Sequence, residues 1–237
     1  MADAKREPDH QDFAHVRDWV FDLDNTLYPH HIDLFSQIDV NMTAYVAALL
    51  QMEREEARQL QKRYYHEHGT TLAGLMLHHG VDPHDFLEKA HQIDYALLQP
   101  DLDLAAAIAA LPGRKFIFTN GTVSHAQAAA AALGILELFD DIFDIVAGHF
   151  QPKPLEATYA AFLARHGINP LQAAMFEDLP RNLIVPKALG MVTTLIVPAQ
   201  FQEVNLEEWE RLESFAGQGH VDYVTSDLGG FLGRLTA

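Results

Sequence analysis

The chain has no cysteine among its 237 residues. Disulfides, thiolate metal sites and a cysteine nucleophile are excluded, and the absence is compatible with a reducing cytosol. Basic residues are scarce, with 16 Lys and Arg against 33 Asp and Glu, a formal charge of −17 at pH 7. That balance argues against a nucleic-acid or anionic-membrane surface as partner. No apolar run is long enough to span a bilayer, and the opening segment MADAKREPDHQDF lacks the apolar core of a signal peptide. The expectation is a soluble, cytoplasmic protein with a flexible tail over residues 1–16. Internal repeats are also missing, and the only biased tract is a run of alanines after residue 125. Hydrophobic residues make up 49% of the chain, enough for the core of one large domain or of a domain with an insertion.

Against this background the segment FDLDNTLY, residues 21–28, stands out. A β-rich lead-in, RDWVF, ends in Asp-x-Asp-x-Thr, which places Asp22 and Asp24 at the end of a buried strand. In a parallel sheet the carboxyl ends of strands are where ligands bind. Two carboxylates so close repel each other, so a cation is implied. Downstream, strand-like and helix-like segments alternate: KFIFTN, an Ala-rich helix from about Ser124 to Leu133, DIFDIV, the helical LEATYAAFLARHG, AAMFE, MVTTLIVP and VDYVT. This is the pattern of an α/β doubly wound parallel sheet. Ser124 with Gln127 reads as a capping box for the Ala-rich helix.

FDLDNTLY, FTNG at 118–121, Lys153 in QPKP and FEDLPRN at 176–182 stand in the order of four motifs. They resemble those of the haloacid dehalogenase superfamily of phosphohydrolases. Asp24 and Thr119 are far more widely separated than a single βαβ crossover requires. Between them Phe35, Ile38, Met42, Tyr45 and Leu49 recur at helical spacing, and Asp82-Pro83 reads as an N-cap and first helical position of the helix PHDFLEKAHQIDYALL, residues 83–98. The expected architecture is a Rossmann-like core, residues 17–31 and 99–237, with a helical cap over 32–98. The segment from Lys153 to Glu177 has room for one helix and one strand, so a single lid is expected.

The resemblance implies roles. Asp22 is the expected nucleophile, forming an aspartyl-phosphate. Asp24 is the expected acid and base, a task calling for a carboxyl pKa above that of a free Asp. Mg²⁺ would be held by Asp22, Asp178 and the backbone carbonyl of Asp24. Glu177 and Asn182 would sit in the outer layer of that site, Glu177 where relatives often carry Gly or Asp and Asn182 where many carry a second acid. Thr119, the Asn120 amide and the Lys153 ammonium would neutralise the transferring phosphoryl group. The net acidity does not forbid an anionic substrate, because charges beyond about 8–10 Å are screened at physiological salt while a metal and a lysine act at contact.

The stretch YYHEHGTTLAGLM at 64–76, with FTNGTVSHA and FEDLPRNL, is most similar to the pyrimidine 5′-nucleotidases. That points to UMP or CMP, a nucleoside monophosphate, as the small phosphate ester. Tyr64, Tyr65, His66, Thr70 and Thr71 offer stacking faces and hydroxyls for base and ribose, and His125 a contact near the FTNG loop. A sugar-phosphate phosphatase or mutase on the same core stays open. A haloacid dehalogenase has no alkoxide to protonate, so Asp24 argues against it, and a non-enzymatic binding protein would not need the full acid set with Lys153. The 14 histidines include His30-His31, His66-x-His68 and His78-His79, whose spacing fits surface or lid positions better than a metal site.

Overall fold

The computed structural model describes residues 10–199 and 219–236. Among these, six strands form one parallel sheet: β1 Asp18–Phe21, β2 Arg114–Phe118, β3 Asp141–Phe143, β4 Ala173–Glu177, β5 Val192–Ile196 and β6 Tyr223–Thr225. Their spatial order is β3-β2-β1-β4-β5-β6. The chain winds outward from β1 in one direction, returns, and winds outward in the other. The switch point lies between β1 and β4, where an open α/β sheet presents its crevice.

The period of two along each strand explains why both faces are covered. Trp19 and Phe21 of β1, Ile117 of β2, and Ala174 and Phe176 of β4 share one apolar cluster. Val20, Phe116, Phe118, Ala173 and Met175, the alternate residues, share another. Parallel register aligns Phe21 with both Ile117 and Phe176, so the residues that follow each strand emerge at a common edge.

The helices, in chain order, are α1 His10–Phe13, α2 Leu34–Leu50, α3 Arg54–His68, α4 Thr71–His79, α5 Pro83–Ala90, α6 Leu102–Ala110, α7 Val123–Ala132, α8 Glu156–His166, α9 Ile184–Ala188 and α10 Leu228–Thr236. Helices α2 to α5 lie between β1 and β2 and surround their own apolar cluster, including Ile38, Val46, Leu60, Leu75 and Phe86, to which Ile145 of the core also belongs. This is the helical cap. Asp82 caps α5 through its side chain, accepting from His84 N at 3.0 Å, with Pro83 in the first turn.

Four details correct the sequence reading. Residues 10–16 are not a loose tail: Phe13 is buried and stacks on Trp19, and Val16 is fully buried. The remainder of the expected tail, residues 1–9, lies outside the described residues. The Ala-rich helix is capped by Thr122, which accepts from His125 N at 3.2 Å, rather than by Ser124. The helical segment beginning at Asp82 ends at Ala90 instead of running to Leu98. On α2, Phe35 and Leu49 are exposed while Leu34 and Val46 are buried, a rotation of the apolar face by about one residue. No helix among the described residues is long and apolar enough to cross a membrane.

Candidate active site

Asp22 follows β1, Thr119 follows β2 and Asp178 follows β4, so the topology brings all three to one edge of the sheet. Asp22 is anchored by its own amide, which donates to Phe176 O at 2.9 Å. Lys153 enters from the loop before α8 and is only 1% exposed. Its Nζ lies 2.7 Å from each of Asp22 Oδ1, Phe118 O and Glu177 Oε1. An ammonium has three N–H bonds, and here all three have acceptors. Lys153 therefore holds the nucleophile candidate in place and has no vacant donor to offer.

Glu177 is completely buried and holds three donors, Lys153 among them. Oε1 also accepts from Asn182 Nδ2 at 2.6 Å, and Oε2 from Leu179 N at 2.8 Å. Oxygens of Asp22, Glu177 and Asp178 lie within 4.8 Å of one another. Burial raises the Asp22 carboxyl, opposed by Lys153 and aided by Glu177 and Asp24, to about 7. Asp178 also stands well above its ordinary range, through burial and then the charges of Glu177 and Asp22. With Glu177 committed to hydrogen bonds, Asp22 and Asp178 are the carboxylates left to bind a cation. Asn182 Oδ1 is buried without a protein partner, an acceptor suited to a metal-bound water. Hard oxygen donors with excess negative charge fit Mg²⁺.

Asp24 departs from expectation. Its Oδ1 receives Tyr28 OH and, at 2.8 Å, His125 Nε2. Burial favours the neutral acid, yet the charge and hydrogen bond of His125 and the Tyr28 hydroxyl outweigh it, so the carboxyl titrates below the ordinary range, not above it. His125 is buried and reaches Tyr95 OH through Nδ1 at 2.9 Å, with the His91 ring 4.8 Å away. It supports Asp24 from behind and is not placed as a substrate contact. Sequence reading missed Tyr28 and Tyr95, although Tyr28 lies in the first motif and four residues from Asp24.

Thr119 is buried, and its Oγ1 accepts from Gly121 N at 2.9 Å, which leaves its hydroxyl hydrogen to donate. The Asn120 side chain braces the lysine loop: Oδ1 accepts from Lys153 N at 2.8 Å and Nδ2 gives one of its two hydrogens to Lys153 O at 3.2 Å.

In the cap most expected substrate contacts are structural. Tyr64 is buried between α3 and α4, its ring stacked 5.2 Å from His78 and its hydroxyl 2.7 Å from His79 Nε2. Gly74 permits this, because a Cβ there would stand 2.4 Å from Tyr64 Cγ. Thr70 caps α4 by accepting from Ala73 N, and buried Thr71 donates to Gln61 O. Tyr65 differs: half-buried, it carries the Arg181 guanidinium 4.5 Å over its ring, across the seam between cap and core. His66 is exposed. His68 and His78, ten positions apart, bring their Nε2 atoms to 3.0 Å, a pairing not visible in the sequence spacing.

A sequence model described as haloacid dehalogenase-like hydrolase matches residues 19–190. The chain belongs to the haloacid dehalogenase-like hydrolases. Within this hydrolase family it is 28% identical over 206 residues to phosphate metabolism protein 8 of Saccharomyces cerevisiae, an alignment covering 78% of this chain and 64% of the yeast protein. The chain thus spans somewhat under two thirds of that relative. L-2-haloacid dehalogenase from Xanthobacter autotrophicus superposes with a TM-score of 0.57 at 19% identity, covering 92% of this chain and 97% of that one. A HAD phosphatase from Thermococcus onnurineus superposes equally well, 0.57 at 16% identity, covering 90% and 94%. At such identities the likeness establishes the fold shared by these hydrolases, and the chemistry has to be argued from the side chains.

Proposed function

We propose that this hydrolase is a Mg²⁺-dependent phosphomonoesterase that forms an aspartyl-phosphate on Asp22, with pyrimidine nucleoside 5′-monophosphates as substrates. The observation that carries the reading is Asp24: two residues from the nucleophile, it is held by Tyr28 and His125 at the mouth of a site already containing Asp22, Lys153 and Asp178. Displacement of a halide needs no proton donor, whereas expulsion of an alkoxide does. The family resemblance and the similarity to a phosphate metabolism protein support the same class.

The free site holds Asp24 ionised, and the negative charge of an incoming phosphate ester raises its carboxyl so that it carries the proton in the complex. Asp22 then attacks phosphorus as the bond to the ester oxygen breaks, and Asp24 gives that oxygen its proton. Water then attacks the acyl phosphate, and Asp24 takes the proton back. Lys153 orients Asp22, while the Thr119 hydroxyl donates to a phosphoryl oxygen. Asp22, Asp178 and the carbonyl of Asp24 would hold Mg²⁺, which when bound supplies charge neutralisation between carboxylate and phosphate.

The nucleotide assignment now rests on Tyr65, because Tyr64, Thr70 and Thr71 are committed within the cap. A planar ring and a guanidinium at the cap–core seam suit a stacked base. The test is Mg²⁺-dependent phosphate release from UMP, CMP, AMP, GMP and small sugar phosphates, compared by kcat/KM. Preference for UMP and CMP is expected. Activity on sugar phosphates alone would keep the chemistry and discard the nucleotide, and silence throughout would discard both.

A further inference from the structure

Both donors to Asp24 converge on the same oxygen. Tyr28 OH and His125 Nε2 each bond to Oδ1, and His125 is in turn fixed through Nδ1 by Tyr95 OH. The arrangement is independent of whether the imidazole is neutral or charged: with Nε2 donating to a carboxylate, Nδ1 accepts from the Tyr95 hydroxyl in the first case and donates to it in the second. Tyr28 and His125 are both about 1% exposed, so water does not compete for these bonds. An oxygen that accepts two hydrogen bonds is a poor place for the catalytic proton. The second oxygen, Oδ2, receives neither.

From this geometry we infer that Asp24 exchanges its proton through Oδ2 alone, and that Tyr28 and His125 are positioning residues that fix which oxygen faces the leaving group. The inference rests on the phosphomonoesterase reading and names how that site is aimed. In the first half-reaction the Asp22–phosphorus bond forms, the phosphorus–ester-oxygen bond breaks, and the Oδ2 proton moves to the departing oxygen. In the second, water adds to phosphorus, the Asp22 carboxylate leaves, and the proton lost by water returns to Oδ2. Tyr95 belongs to the short helical turn Tyr95–Leu97 that closes the cap, and His125 to the start of α7. The carboxylate is therefore gripped from its own loop by Tyr28 and from the core by His125, with the end of the cap buttressing the latter.

The experiment compares phosphate release from p-nitrophenyl phosphate, whose leaving group needs little protonation, and from an alkyl phosphate, whose leaving group needs a full proton. Both are measured by kcat/KM with Mg²⁺ for the wild type, His125→Leu and Tyr28→Phe. General acid catalysis contributes about 10²–10⁴-fold, so mis-aiming the acid should lower the alkyl phosphate rate by roughly ten- to a hundredfold. The aryl substrate should change by less than about threefold. Equal losses on both substrates, or no loss on either, would overturn the positioning role. If His125→Leu does not fold, Tyr28→Phe, which keeps the ring and removes only the hydroxyl, decides alone. A wild type inactive on both esters would instead overturn the phosphomonoesterase reading and this inference with it.

Discussion

Lys153 Nζ and Asp22 Oδ1, 131 positions apart in the chain, are 2.7 Å apart in an interior that leaves the lysine 1% exposed. The same ammonium also neutralises Glu177, so one cation stands between two buried carboxylates. Burial weakens a lysine's hold on its proton, but here the charges of Asp22 and Glu177 more than compensate and the Lys153 pKa is pushed above its ordinary value. The trio serves the fold and the chemistry at once.

Replacing Lys153 by Met should therefore destabilise the protein as well as inactivate it. Removing one partner of a buried pair costs about 3–5 kcal/mol, because the remaining charges are left unpaired. Urea unfolding in chelator-containing buffer measures this. A loss below about 1 kcal/mol would show that the carboxylates relax without the ammonium.

Asp22→Asn should separate the two roles. The amide fills the same volume, and Lys153 keeps Glu177 and Phe118 O, so the melting temperature should move by only a few degrees. Phosphate release should fall by at least roughly 10³-fold, as expected when a nucleophile is removed. Substantial residual turnover would reassign the nucleophile.

The raised carboxyls give a pH signature to the protein stripped of metal. The Asp22 carboxyl rises from its ordinary value of 3.8 to about 7 through burial, and Asp178 shifts in the same direction. Between those values the folded state holds a proton that the unfolded state has released. The contribution of these two carboxyls to stability should be greatest below about pH 4, decline as pH rises toward about 7, and level off above, while the lowered Asp24 carboxyl contributes with the opposite sign at acid pH. A cation has to displace that proton, so Mg²⁺ affinity should increase with pH over the same range and then plateau. Calorimetric titrations at several pH values, with melting curves at saturating Mg²⁺, check both. Added Mg²⁺ at about a hundred times its Kd should stabilise by about 2.7 kcal/mol, and an unchanged melting temperature with undiminished activity after chelation would remove the metal from the proposal.

Local pattern explains which parts of the fold were legible. The strands β1, β2, β4 and β5 read directly because a largely buried parallel strand is a short apolar run, and Asp22, Thr119 and Asp178 mark the ends of β1, β2 and β4. The cap could be placed because periodic helices filled the surplus between motifs. Side-chain commitment was not legible. Nothing in the spacing of Asn120 and Lys153 reveals that the amide clamps the lysine backbone, and nothing local to Glu177 reveals that it accepts from Lys153, Asn182 and Leu179. The environment of Asp24 was hidden for the same reason, since His125 lies 101 positions away. Helices α6 and α10 pack on each other, Gly229 lying against the Leu104 backbone, a long-range match that neither short segment announces.

The cap tyrosines allow the last prediction, which reverses the sequence expectation for one of them. Tyr64 had the look of a base-stacking residue, and its truncation would then raise KM for nucleotides more than for a small aryl phosphate. In the structure it fills the space between α3 and α4, against Gly74 and the His78 ring. Tyr64→Ala should therefore weaken the cap by about 3–5 kcal/mol, the range for truncating a buried aromatic side chain, and alter KM for both substrates to a similar degree. Gly74→Ala offers a converse perturbation: its methyl would meet Tyr64 Cβ at 2.5 Å, and such overpacking typically costs about 1–3 kcal/mol. Tyr65→Ala is the contrasting variant, since its ring faces Arg181 at the seam and its loss should discriminate between nucleotide and aryl phosphate. Steady-state KM ratios for UMP and p-nitrophenyl phosphate across the three variants give the answer. Selectivity that follows Tyr64 and not Tyr65 would mean that the cap opens its α3–α4 contact to admit the base.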